Sequence, residues 1–327
     1  MHAAVLTVPG GTPAWAGHPD PEPGAGHTLI RVAAAAIVPL DLLCASGTSY
    51  FGAPACPYVP GTQGVGVVER SASLAPGTRV FFETTAGREP GDGSLAELCA
   101  TPDHMVVPIE ADVADVEATA LGMSAVAAWM ALTARGRFRS GERVLVLGAG
   151  GAVGQAAVGA ARVLGASRVV AACRSAEAQE RARRAGADAV VPLTGEAATD
   201  ADALTAALRE ALGGEVDVVV DPVCGTAATA AARLLAPGGR LVNLGGASGD
   251  TAEFSSAVLR SRSAEVLGYT NVSLTPEQRR EALGAVLAHA AAGELAVDSE
   301  QVPLADVAAA WERQAAGRAS RRLVLTP

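Results

Sequence analysis

The chain is poor in aromatic rings, in paired cysteines and in charge. Phe, Trp and Tyr make up 3% of its 327 residues, so a core has to be assembled tightly from Ala, Val and Leu. The five cysteines, Cys44, Cys56, Cys99, Cys173 and Cys224, include no Cys-x-x-Cys pair or metal-ligand spacing. Their odd number excludes a complete disulfide framework and points to a reducing compartment. Charged residues are 18% of the chain and the net charge is -9, which argues against a nucleic-acid partner. The arginine clusters at Arg181, Arg183 and Arg184 and at Arg318, Arg321 and Arg322 read as a solvated helix surface and a chain end. No uninterrupted apolar run reaches the roughly 20 residues that cross a bilayer, and the first residues lack the basic-then-apolar order of a secretion signal. A cytoplasmic protein without a membrane partner is expected.

What is present is a hydrophobic half, 50% of the residues, on a chain long enough for two cores. Up to about residue 115, short apolar runs at 28–36, 64–69, 79–83 and 106–109 are punctuated by Gly and Pro, a β-rich signature. Residues 118–134 read as one or two Ala-rich helices. Beyond them, apolar strands at 144–147, 169–173, 189–191, 216–221 and 240–244 alternate with helices starting at Val153, Ala176, Ala201 and Thr226. That alternation predicts a parallel sheet covered on both faces. Residues 274–313 return to amphipathic helix, and an apolar run at 322–325 closes the chain, expected to rejoin the β-rich part.

Between the strand at 144–147 and its helix lies Gly148-Ala149-Gly150-Gly151-Ala152-Val153-Gly154. A small-residue turn there lets a pyrophosphate approach the backbone, where the free amides and dipole of the helix favour negative charge. Gly148, Gly151, Ala152, Val153 and Gly154 are the candidate phosphate contacts. About 20 residues on, where an NAD enzyme places an Asp or Glu on the ribose 2′-hydroxyl, stand Arg174 and Ser175. A cation and a hydroxyl suit a 2′-phosphate, so the expected cofactor is NADPH, unless Arg174 merely points into solvent.

Several segments together resemble the medium-chain dehydrogenase/reductase superfamily, in its zinc-independent, quinone oxidoreductase-like branch. They are Ala34-Ala35-Ala36-Ile37-Val38-Pro39-Leu40-Asp41, Pro60-Gly61-Thr62-Gln63-Gly64-Val65-Gly66, Gly93-Ser94-Leu95-Ala96-Glu97, the loop at 148–154, and Leu235-Ala236-Pro237-Gly238-Gly239-Arg240. The resemblance implies an α/β fold: a Rossmann doubly wound parallel sheet at 118–271, plus a β-rich GroES-like catalytic domain formed by both chain ends, 1–117 and 272–327. It also implies a nicotinamide held by Asn243, Gly245, Tyr269 and Asn271, largely through backbone groups. Ser124 offers a hydroxyl near Ala127, where relatives often have a threonine.

Zinc relatives bind their metal through Cys and Gly-His-Glu ligands, but here Val38, Thr62-Gln63 and Met123 stand near those positions, so no metal is expected. Hydride transfer without a Lewis acid selects a conjugated acceptor, a quinone or an α,β-unsaturated carbonyl compound. Tyr50 is the candidate proton donor, with packing as its other reading. Asp41 orients a donor or caps a helix, and Gln63 bonds substrate or fills the vacated pocket. The five histidines fall in no ligand or base motif, and Cys44 and Cys56 are open to reaction with enones or serve as small hydrophobes. Other readings are an enoyl-thioester reductase and a cofactor binder with a non-redox biosynthetic or structural role. A homodimer pairing through residues 264–267 is expected from the relatives.

Overall fold

Alternation of inward and outward side chains organises the beginning of the chain. In the computed structural model, which describes residues 1–195 and 198–327, β1 (His2–Val5) and β2 (Ala14–Gly17) pair as an antiparallel ribbon. In β3 (His27–Ala36), Thr28, Ile30 and Val32 are buried in alternation with more exposed positions, up to a register shift between Val32 and Ala34. A short helix, α1 (Pro39–Ala45), follows, with proline at its first position, where no amide is needed. The remaining strands are β4 (Gln63–Arg70), β5 (Arg79–Glu83), β6 (Leu98–Pro102) and β7 (Val106–Pro108). The core between them holds Ile30, Tyr58, Phe82 and Leu95.

The helical stretch α2 (Asp115–Met130) continues to Arg135 as a wider turn. Residues Asp115–Arg135 are long and apolar enough to cross a membrane by length and composition, although no unbroken apolar run spans them. Within their apolar 18-residue window 67% is buried in the fold, as in a core helix, and the backbone breaks at Gly122 (φ 33°, ψ -138°).

The strands of the middle segment are buried on both faces, with Val144, Leu145, Val146 and Leu147 wholly inaccessible. In order come β8 (Arg143–Leu147), α3 (Ala152–Val163), β9 (Arg168–Cys173), α4 (Ala176–Arg184), β10 (Ala189–Pro192) and α5 (Ala201–Leu212). Then follow β11 (Val216–Asp221), α6 (Gly225–Ala232), β12 (Leu235–Asn243), α7 (Ser256–Arg262), β13 (Glu265–Gly268) and α8 (Pro276–Ala291). All six strands are parallel, in the order β10-β9-β8-β11-β12-β13, the doubly wound arrangement that reverses between β8 and β11. The strand offered for pairing between copies, β13, is an edge.

The chain then returns to its first sheet through β14 (Ser299–Pro303), α9 (Val307–Ala315) and β15 (Arg322–Thr326). Val324 and Leu325 pair with Ala36 and Ala35 of β3, so the closing apolar run does rejoin the β-rich part. The strand β14 interrupts what the sequence reads as continuous helix. Its Ser-Glu-Gln-Val-Pro carries a single aliphatic residue, and its strand form comes from parallel pairing with β15.

The chain divides into two units, Met1–Gly122 with Asp298–Pro327, and Met123–Val297. The expected boundaries at 117/118 and 271/272 therefore shift, and α8 goes with the Rossmann unit. There His289 on α8 lies against Trp129, ring centroids 5.4 Å apart.

Within that unit, Arg240 is 7% exposed and donates from both terminal nitrogens to Glu142 (2.9 Å each) and from Nε to the Gly136 carbonyl (2.6 Å). Partial burial raises the Glu142 pKa, but the bonds from Arg240 and the Arg139 amide outweigh it and hold the carboxyl below its usual range. A depressed acid contributes stability above its unfolded pKa and loses it as pH falls through the folded value. Arg240→Ala is expected to cost about 3 kcal/mol at pH 7, the scale of breaking a buried pair, and less at pH 4. Denaturant melts at both pH values check this, and a pH-independent loss below about 1 kcal/mol contradicts it.

Candidate functional site

The turn from β8 into α3 lies at the carboxyl ends of the strands, beside the reversal point, where open α/β sheets bind ligands. Each glycine in it answers a different demand. Gly148 has φ 63°, and a Cβ there would stand 2.6 Å from Val223 Cγ1, so the turn after β11 abuts the loop. A Cβ on Gly154 would lie 2.4 Å from the Gly148 carbonyl oxygen and 2.5 Å from Ala149 Cα, so helix and loop touch there. Gly151 is different: its φ is -81°, and a Cβ would find its nearest neighbour at an ordinary 3.6 Å. Among the described residues, no neighbour crowds this exposed N-cap closely enough to require glycine.

Such open space over a helix N-terminus leaves room for a ligand to approach the backbone. No side chain caps α3, and the amides of its first turn, Ala152, Val153 and Gly154, have no acceptor within the helix. The cradle thus fits a pyrophosphate. Two side chains brace it from behind: Gln155 Nε2 and Arg181 Nε donate to the Gly150 carbonyl at 3.0 and 3.2 Å. Arg181, read from sequence as solvated, is buried because this bond and its packing occupy it.

Arg174 and Ser175 follow β9 and are exposed. Ser175 caps α4, its hydroxyl accepting from the Ala178 amide (3.1 Å), which the sequence reading did not assign to it. Across the reversal point, Asn243 donates to the Asp221 carboxylate (2.9 Å) and to the Gly245 carbonyl (3.0 Å). The Tyr269 hydroxyl donates to Asn271 Oδ1 (2.7 Å), and Asn271 Nδ2 donates to the Met123 carbonyl (2.9 Å). The side chains of Asn243, Tyr269 and Asn271 thus hold the unit's own turns together, and Ser124 is buried nearby in sequence to Met123.

In the other unit, Asp41 is fully enclosed. Its carboxylate accepts from the amides of Val38 (2.7 Å) and Thr62 (2.8 Å), so the helix-capping alternative describes it, joined to a clamp on the segment before β4. Burial pushes its carboxyl up to about 6, although these bonds and the charge of Arg322 pull the other way. Arg322 donates to the Ile37 carbonyl (3.0 Å) and is buried, contrary to its reading as a solvated chain end.

Gln63 is wholly buried and donates to the Thr119 carbonyl (2.9 Å), and a Cβ on Gly122 would stand 2.5 Å from its Oε1. Its amide fills the break in α2. Tyr50 is 81% exposed, its ring centroid 4.3 Å from that of Phe51. The structure therefore joins Asp41 to Thr62 and leaves Tyr50 at the surface. The Cys44 thiol is buried, and desolvation pushes it up to about 11, which makes it an inert small hydrophobe.

Residues 152–288 match the family described as zinc-binding dehydrogenase, and residues 24–111 match the alcohol dehydrogenase GroES-like domain. The quinone oxidoreductase of Thermus thermophilus, solved also in complex with NADPH, is 31% identical over the whole of both chains, with a TM-score of 0.81. The chain belongs to the zinc-independent, quinone oxidoreductase-like branch of the medium-chain dehydrogenase/reductase superfamily.

The chain is also 28% identical to human quinone oxidoreductase over 298 residues, 89% of the chain and 86% of the relative. It is 32% identical to a phenolphthiocerol/phthiocerol polyketide synthase subunit of Mycobacterium tuberculosis over 308 residues, 93% of the chain, but spans only 14% of that subunit. Among the described residues of this quinone oxidoreductase-like chain, no three His, Cys, Asp or Glu side chains gather as a metal-holding group. The sequence reading missed Gln155, Arg181 and Asp221. Only Asp221 left a signal, as a carboxylate directly after the apolar run Val218-Val219-Val220.

Proposed function

We propose that this oxidoreductase takes NADPH and reduces a quinone or an α,β-unsaturated carbonyl compound without recruiting zinc at Val38, Thr62 and Gln63. Those side chains offer no thiolate, imidazole or carboxylate. The observation that carries the reading is Gly151: a glycine the protein does not need, over uncapped helix amides, on the strand order of a dinucleotide fold. Arg174 at the end of β9 supports NADPH over NADH, and the Thermus relative was crystallised with NADPH.

When bound, the cofactor supplies a hydride to the acceptor, and a proton must follow to the oxygen or carbon that gains charge. The chain's own part is to hold the dinucleotide on the α3 amides, to fix its 2′-phosphate through Arg174, and to offer an acid. Tyr50, exposed and backed by Phe51, is that acid for enone substrates. A second reading, reduction of an enoyl thioester, is favoured by the likeness to a polyketide synthase subunit, since polyketides are built on thioester-bound chains.

Oxidation of NADPH with a benzoquinone, a simple enone and a short enoyl thioester tests this. A free quinone or enone is expected to win by about 100-fold or more in kcat/KM, and the opposite order moves the chain to the second reading. With the enone, Tyr50→Phe is expected to lower kcat by about 100-fold at an unchanged KM for NADPH, the scale of a lost general acid. An unchanged kcat removes Tyr50 from the role.

A further inference from the structure

The turn after β11 holds a carboxylate that neither the phosphate loop nor the acceptor chemistry uses. Asp221 is 0% exposed. Its Oδ1 accepts from the amides of Val223 (3.0 Å) and Cys224 (2.8 Å), and its Oδ2 from Asn243 Nδ2 (2.9 Å). Its carbonyl also accepts the Leu244 amide (2.8 Å). A buried charge is costly unless several donors meet it, and two turns supply them here. Asp221 therefore ties the end of β11 to the end of β12. Asn243 passes the tie on, donating to the Gly245 carbonyl (3.0 Å) while its own carbonyl accepts the Tyr269 amide (2.9 Å).

The backbone held this way is not relaxed. Cys224 sits at φ 58°, ψ -152°, a conformation that costs a non-glycine residue free energy and persists only where its surroundings enforce it. The bond from its amide to Asp221 is that enforcement. A plain β-to-α connection has no need of a buried carboxylate or a strained cysteine.

Position in the sheet assigns the function. In a doubly wound fold, each half of the sheet receives one nucleotide of the dinucleotide. The adenosine side runs from β8 to β9 and Arg174, so the ends of β11 and β12 face the nicotinamide nucleotide.

We propose that Asp221 and Asn243 are a positioning pair for the nicotinamide half of the cofactor, fixing the backbone direction at Cys224 and Gly245. This rests on the NADPH reading above and adds residues that touch no substrate themselves. The side chain of Asn243 is thus a strut, and recognition falls to the backbone it sets.

The test compares two ligands. NADPH carries both nucleotide halves, whereas 2′-phospho-ADP-ribose lacks the nicotinamide and engages only the phosphate loop and the Arg174 side. Asn243→Ala removes the strut at a half-buried position, and Asp221→Asn sets an amide against the donors that the carboxylate now accepts. Both variants are expected to weaken NADPH by about 10-fold or more, the scale of lost bonds to a charged group, while 2′-phospho-ADP-ribose stays within about twofold.

Equal weakening of both ligands makes the pair a general prop of the fold and overturns the proposal, as does unchanged NADPH binding. If Asp221→Asn does not fold, Asn243→Ala decides alone. Failure of the unsubstituted protein to bind either ligand refutes the NADPH reading instead, so the two ideas fail in different ways.

Discussion

Replacing Gly151 with Asp is expected to abolish NADPH binding while leaving the protein at least as stable. A carboxylate at this N-cap meets no steric obstacle, because a Cβ there has only an ordinary contact at 3.6 Å. Asp is also a better cap than Gly by a few tenths of a kcal/mol. The same carboxylate would occupy the first-turn amides of α3 and repel the pyrophosphate. Loss of both the amide contacts and the favourable field corresponds to about 3 kcal/mol or more, over 100-fold in Kd. Thermal melting without cofactor and titration with NADPH read the two effects separately. A variant that still binds NADPH within about tenfold of the parent would show that the pyrophosphate does not lie on α3. By contrast, Gly154→Ala drives a methyl into the Gly148 carbonyl, so it confounds fold and binding.

The second large effect concerns cofactor choice. Arg174→Asp is expected to weaken NADPH by about 100-fold and to tighten NADH, reversing the preference. An Arg–phosphate pair is charge-assisted and can be bidentate, contributing about 1.5–3 kcal/mol, and an Asp at this place accepts from a ribose 2′-hydroxyl but repels a 2′-phosphate. Arg174 is exposed, so the substitution removes no core contact and the fold should be unaffected. Dissociation constants for both cofactors measure it. An unaltered NADPH to NADH ratio would place the 2′-phosphate away from Arg174. Ser175 is a poorer site for this test, since its hydroxyl caps α4 and Ser175→Ala would cost about 1 kcal/mol of helix stability.

The Rossmann half was legible because its signals are local. The stretches Val218–Val220 and Val144–Leu147 are apolar throughout, as strands buried on both faces must be, and they fall inside the observed strands. The glycine loop was equally plain, since turn, close packing and ligand approach all demand small residues within seven positions. The GroES-like half was legible only in part. Its runs at 28–36 and 79–83 became strands, while β14 was unreadable because its strand form depends on β15, which follows some twenty residues later.

For the site, the sequence determined which residue types were at hand: glycines at the loop, Arg174 after the second strand, and no zinc ligands at Val38, Thr62 and Gln63. It could not determine what those side chains touch, because their partners are distant in the chain. Only the tertiary structure decided that Gln63 fills the break at Gly122, that Asp41 caps α1 and meets Thr62, and that Arg181 braces Gly150. Arg322 gave the same periodic signal as a solvated arginine yet is buried near Asp41, 281 positions away by the difference of their numbers. Local pattern fixes which backbone elements form, since their hydrogen bonds and burial repeat every few residues. The use of a polar side chain is fixed by whichever donor or acceptor folding delivers to it, and no periodicity encodes that.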